Sequence, residues 1–232
     1  MSQENEKLNQ IEIEKEIRRS EAEGGNANFK RKTLSSFSLF QKKVKVGIDL
    51  EEAIILGGVS LGGITIEGDL NLKGIQIKGP LYLAEALVKG SLNLERAKVE
   101  GVVNLVGATI EKNVFGSALN VVGFVSLSKA KIGKDVNLEK IITKSANYEG
   151  LIIKGDVFFD FAWIDGNVNL EDSQIQGLLS FENAIIENNL ILENTQIENY
   201  LLLKTVTVKG NTNLKETKCE RVIRTFRSAQ EP

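Results

Sequence analysis

The sequence predicts an all-β fold: a right-handed parallel β-helix, a four-sided solenoid of about eight 22-residue coils behind a polar N-terminal arm. Three observations carry this. Gly68 to Glu111 repeats one pattern four times (GDLNLKGIQIK, GPLYLAEALVK, GSLNLERAKVE, GVVNLVGATIE), each unit being 11 residues long. Within a unit, positions 3 and 5 are aliphatic (Leu70/Leu72, Leu81/Leu83, Leu92/Leu94, Val103/Leu105), position 8 is often small, and position 10 is Ile or Val. Apolar residues at i and i+2 with polar ones between mark strands, whereas on a helix they lie about 200° apart and form no stripe. A glycine in every unit would also cost a helix about 1 kcal/mol per occurrence. Finally, 11 residues are too few to close a turn around a packed core, whereas two units suffice for a four-sided coil. The handedness of parallel crossovers then favours a right-handed winding.

Composition narrows the function classes. The chain has 232 residues, 42% of them hydrophobic, and a net charge of -2, which suits a globular domain. The single Cys allows no intrachain disulfide. The absence of histidine removes His triads, His metal sites and the His base of hexapeptide-repeat acyltransferases, whose six-residue beat is also missing. The start MSQENEKLNQ has no apolar core of a signal peptide, and no apolar run approaches the roughly 18 residues of a membrane span. A cytoplasmic, non-enzymatic protein without cofactor or metal is therefore expected.

Taken in order, residues 1–45 form a charged arm and cap, 46–220 the solenoid and 221–232 a second cap and tail. Lys7 to Glu23 is helix-compatible, with Leu8, Ile11 and Ile17 on one side, and the alternative is a disordered arm. GGNAN at 24–28 reads as a linker. Residues 29–45 then set Lys30, Arg31, Lys32, Lys42, Lys43 and Lys45 around Phe29, Phe37, Leu39 and Phe40. Such a run either tethers the chain to nucleic acid or an anionic membrane, or plugs the first coil with its aromatics. The plug is preferred because solenoids need capped ends. The repeat then runs through 16 units, of which the one starting at Ser145 is one residue short and is expected to bend or loosen the rod. Position 1 is Gly in ten units and Asn at 188 and 199, which predicts left-handed backbone at that corner. Cys219, at inward position 10, is expected to be a buried structural thiol. Val222, Ile223 and Phe226 are expected to cover the last coil, flanked by Arg221, Arg224 and Arg227.

Segments such as VNLVGATI (Val103 to Ile110) resemble two consecutive units of the pentapeptide-repeat pattern A(D/N)LXX, through Val103-Asn104-Leu105 and Ala108-Thr109-Ile110. Asn recurs at position 4 (Asn71, Asn93, Asn104, Asn137, Asn147, Asn169, Asn213). The pattern departs from that family in an extra residue, usually Gly, in every second pentapeptide. The resemblance implies a right-handed quadrilateral β-helix, often dimeric through a coil end. It implies little about activity, although one subset of that family mimics DNA to protect or inhibit topoisomerases.

The carboxylate pairs Glu51/Glu52 and Glu171/Asp172 sit at corners or strand ends, with nothing to desolvate them as general acid and base. The glycines at 57/58 and 62/63 recur in the repeat frame without the Lys-Ser/Thr of a phosphate loop. From Gly155 to Leu203 there are acidic residues but no Lys or Arg, which admits a DNA-mimic reading. A DNA mimic should be acidic over most of its length, and this chain is not. The strongest candidate is apolar: position 9 points outward, yet holds Ile142, Trp163 and Ile185 in alternate units, with Phe158 and Phe161 in the same unit as Trp163. Contiguous exposed apolar surface marks an interface, unless one of the two terminal arms lies over it or a slip of register buries Trp163. The expected partner is another protein or a second copy in a homodimer, and nucleic acid is disfavoured.

Overall fold

A computed structural model describes residues 8–224 as a parallel β-solenoid of about nine turns, fronted by a helix at Gln10–Glu23. Most strands are only two residues long and alternate one buried and one outward residue, as the i, i+2 pattern requires. Four columns of strands form four faces. The first holds ten rungs, from Ala27–Asn28 through Leu70–Asn71 to Arg221–Ile223, and the fourth holds eight, among them Leu87–Val88. The second face (Gln76–Ile77 and its equivalents) and the third (Leu81–Tyr82 and its equivalents) are joined into one 16-stranded sheet by two longer strands, Asn120–Ser126 and Ile142–Asn147. Most rungs pair in parallel with the residue 22 positions on, as in Leu70↔Leu92, Gln76↔Lys98 and Leu81↔Val103. The core is a set of stacked like side chains, for example Ile48, Leu70, Leu92, Val114 and Val136, all buried.

The corners obey a different rule from the one the glycines suggested. Position 7, not position 1, carries the left-handed backbone, and most residues there are not glycine: Glu52, Glu85, Arg96, Lys140, Phe161 and Asp172 all have φ between 57° and 59°. In seven units the recurrent Asn braces this turn, whereas Glu85 and Phe161 turn behind Tyr82 and Phe158. Each position-4 Asn side chain accepts a hydrogen bond from the backbone N–H two residues on, at 3.0 Å for Asn93, Asn104, Asn137, Asn169 and Asn213. The position-1 glycines serve close approach instead. A Cβ on Gly68 would lie 2.6 Å from the Gly47 nitrogen, and one on Gly123 2.6 Å from the Gly101 oxygen. Asp or Asn at position 2 completes that corner by accepting a backbone N–H from the next coil, as Asp69 does from Ser91 at 2.7 Å.

The solenoid also begins earlier than the division at residue 45. Ala27–Asn28 already pairs with Ile48–Asp49, so 27–45 is the first coil itself, with Phe29 and Phe37 packed edge to face at 5.1 Å in its core. The helix is the cap. Asn9 and Glu12 form a capping box and Gly24 ends the helix in the left-handed conformation. Its buried side is Ile13, Ile17 and Ser20, whereas Ile11, expected inside, is exposed. Helix side chains satisfy the unpaired edge of the first coil: Glu16 and Glu21 accept the Asn28 and Lys45 N–H groups, and Gln10 donates to the Ser38 carbonyl.

The short unit causes no break. Val136↔Val157 and Lys131↔Ile152 pair across it, and the lost residue is absorbed as a register shift between Val121 and Phe124. Thr143, buried beside that shift, donates to the Gly123 and Ser145 carbonyls at 3.1 Å. At the C-terminal end Val206, Val208, Leu214 and Cys219 are only partly buried against the core. Cys219 is thus a half-buried thiol, because no further coil among the described residues stacks on its own. Val222 and Ile223 form the last rung of the first face by pairing with Leu201 and Leu202. Phe226, Arg227, the rest of the tail to 232 and residues 1–7 of the arm lie outside the described residues.

Candidate protein-interaction surface

Residues at position 9 of the second face form a column in register: Asn120↔Ile142, Ile142↔Trp163 and Trp163↔Ile185. The inward partner of each (Val121, Thr143, Ile164, Ile186) is buried, which fixes the outward direction of the column. Ile142 and Trp163 are each 50% exposed, and Ile185 is half-buried between them and the next rung. Trp163 is therefore not buried by a slip of register. The helix packs on the first coil, at the N-terminal end of the rod, and does not cover it.

Phe161 joins the stripe from the corner between the first and second faces, 57% exposed, with its left-handed turn (φ 58°) holding it outward. Phe158 does not join it. It lies on the first face, half-buried, in register with Asn137 and Ser180, because position 4 and position 9 of one unit flank a corner and so face different directions. Two residues the sequence reading missed extend the stripe on its other side. Val122 (52% exposed) and Phe124 (47%) lie at the register shift on the strand that neighbours Ile142–Asn147. The signal was present: Val122 takes a corner position that most other units fill with a charged residue, and Phe124 one that they fill mostly with small or polar residues. Between these residues runs a groove of about 400 Å³ lined by Asn120, Val122, Ile142, Lys144, Trp163 and Asp165.

The sequence matches no known protein-family model and no curated protein.

Several of the charged features are used within the fold. Of the acidic residues between 155 and 203, Glu182, Glu187 and Glu193 pair with Lys204, Lys209 and Lys215 of the following coil at 3.3, 2.6 and 2.8 Å. Asp156 accepts the Leu178 N–H at 2.9 Å, and Asp160 accepts those of Glu182 and the Ser180 hydroxyl. In the basic 29–45 segment, Lys30 contacts Glu51 and Asp49, Arg31 contacts Glu52, and Lys43 contacts Glu67. Lys89 first, then Lys43, hold the Glu67 carboxyl below the usual carboxylate range, so this run is tied into the corner columns. Of its aromatics, Phe29 and Phe37 are buried and only Phe40 is exposed. Among the described residues no group of three metal-ligating side chains occurs, and no helix is long and apolar enough to cross a membrane.

Proposed function

We propose that this protein is a cytoplasmic, non-enzymatic interaction scaffold, with the second-face stripe of Ile142, Trp163, Ile185 and Phe161 as its protein-binding surface. One observation carries the reading: these residues are locked outward by a ladder whose inward members are all buried. Large apolar side chains held in water by a rigid sheet are stabilised when another surface covers them. The single Trp at the centre suits an anchor residue, a type enriched where binding energy concentrates. The DNA-mimic and tether readings lose support because five of the nine acidic residues between 155 and 203, and Lys30, Arg31 and Lys43 of the basic run, are engaged within the fold.

The test compares the wild-type protein with Trp163→Lys in pull-downs from host extract and in mass by light scattering. The substitution is expected to remove the partner or the larger species while the far-ultraviolet circular dichroism stays the same. An unchanged partner list together with unchanged mass contradicts the proposal.

A further inference from the structure

We propose that the stripe is occupied by a second copy of this chain, packed face to face and antiparallel about a twofold axis between the rungs of Ile142 and Trp163. The inference rests on the stripe being an interaction surface. Two adjacent rungs present outward triplets at the same spacing: Lys140-Ile142-Lys144, and one coil on, Phe161-Trp163-Asp165. All six side chains are exposed, and Ile142 aligns with Trp163. None of Lys140, Lys144 and Asp165 makes an ion pair among the described residues, in contrast to Lys78–Glu100 and Lys209–Glu187 farther along the same column in the two directions.

A twofold axis along the strand direction, placed between these rungs, lays one triplet on the other in the same lateral order. Lys144 then meets Asp165, Ile142 meets Trp163, and Lys140 meets the face of Phe161, each contact occurring twice because the interface is isologous. Farther out, with rungs at Lys98, Asn120, Ile185 and Thr207, the same operation sets Glu100 against Lys209 and Val122 against Glu187. No like charges meet. A parallel pair, with its axis along the rod, turns each triplet onto its own reverse. Lys140 then faces Lys144 and Phe161 faces Asp165, a like-charge contact that opposes association. Six rungs overlap in the antiparallel arrangement, roughly 29 Å at about 4.8 Å per strand. An overlap of that length suits a dimer that dissociates on dilution.

The experiment follows mass by light scattering over a dilution series. Wild type is expected to pass from monomer to dimer. Lys144→Glu and Asp165→Lys are each expected to stay monomeric at concentrations where wild type is dimeric, with dissociation constants at least tenfold higher. An equimolar mixture of the two should regain the dimer mass, since opposite charges face each other at both contacts of the mixed pair. Circular dichroism controls for folding, and Lys140→Glu, on the opposite flank, is a further weakening variant should either of the first two fold poorly. Variants that dimerise as wild type does place the contact elsewhere, such as the coil end, and overturn the proposal. A mixture that stays monomeric also overturns it. Wild type that is monomeric throughout overturns the homodimer alone if Trp163-dependent capture of a host protein persists, and the scaffold reading with it if that capture is absent.

Discussion

At Tyr148 a phenol takes a position that all other units but the one with Gly116 fill with Leu or Phe. Its ring fits, 5.1 Å from Phe159, which in turn stacks on Phe181 at 4.9 Å. Its hydroxyl is buried without a hydrogen-bond partner, and burial pushes its pKa far above the ordinary tyrosine value. Tyr148→Phe is therefore expected to raise stability by about 1–2 kcal/mol, measured as a higher urea midpoint at unchanged slope. The pH dependence has a definite sign. The folded pKa lies above the unfolded one, so this contribution is intact below about pH 10 and is lost as pH rises further. Wild type should weaken more steeply above that point than Tyr148→Phe, and parallel alkaline curves would contradict this. The two glycine classes separate in the same way. Gly101→Ala places a Cβ 2.7 Å from the Pro80 nitrogen and should cost about 1–3 kcal/mol. Gly107→Ala meets only the Glu85 side chain at 3.6 Å but keeps a left-handed φ of 66°, and should cost about 1–2 kcal/mol from the backbone and not from packing. The sequence shows which glycines recur, but spacing alone does not distinguish a turn from a close approach. The Asn at position 4 marks the left-handed turn in the units that carry it, while the turns behind Tyr82 and Phe158 have no such sign.

The N-terminal helix is the element that ends the solenoid, and its role was only half legible. A thin apolar face was evident, but Ile13 and not Ile11 enters the core, because the helix is phased by the Asn9 cap and by Glu16 and Glu21 reaching the edge of the first coil. Ile13→Ala should lower stability by about 2–4 kcal/mol and loosen the first coil, read as faster amide exchange at Phe29 and Phe37 than at Leu94 and Leu105. Uniform change along the rod would argue against a local cap. The polar inward residues of the later coils serve the backbone. Ser173 and Thr195, both buried, donate to the Tyr148 and Leu170 carbonyls at 2.8 Å, so they satisfy backbone oxygens and do not mark a site.

At the scale of the whole molecule, the four-sided parallel fold was readable because a period of two nested in a period of 11 admits few other packings. What covers the outer faces was not, since outward positions are constrained only by solvent and by neighbours one coil away. Phe158 shows the limit: it shares a unit with Trp163 and yet belongs to another face. Val122 and Phe124 show the converse, because a register shift on a neighbouring strand brings them beside Ile142. The rod is thus regular where it is scaffold, and its apolar surface gathers where one coil loses a residue. Trp163 is the only tryptophan in the chain, so its fluorescence reports on that surface without any substitution. In dilute protein its emission should be that of a solvent-exposed indole, shifting to shorter wavelength and resisting iodide quenching as concentration rises or partner is added. Emission that stays exposed and fully quenchable under both conditions would contradict the assignment of the stripe as the working surface of this protein.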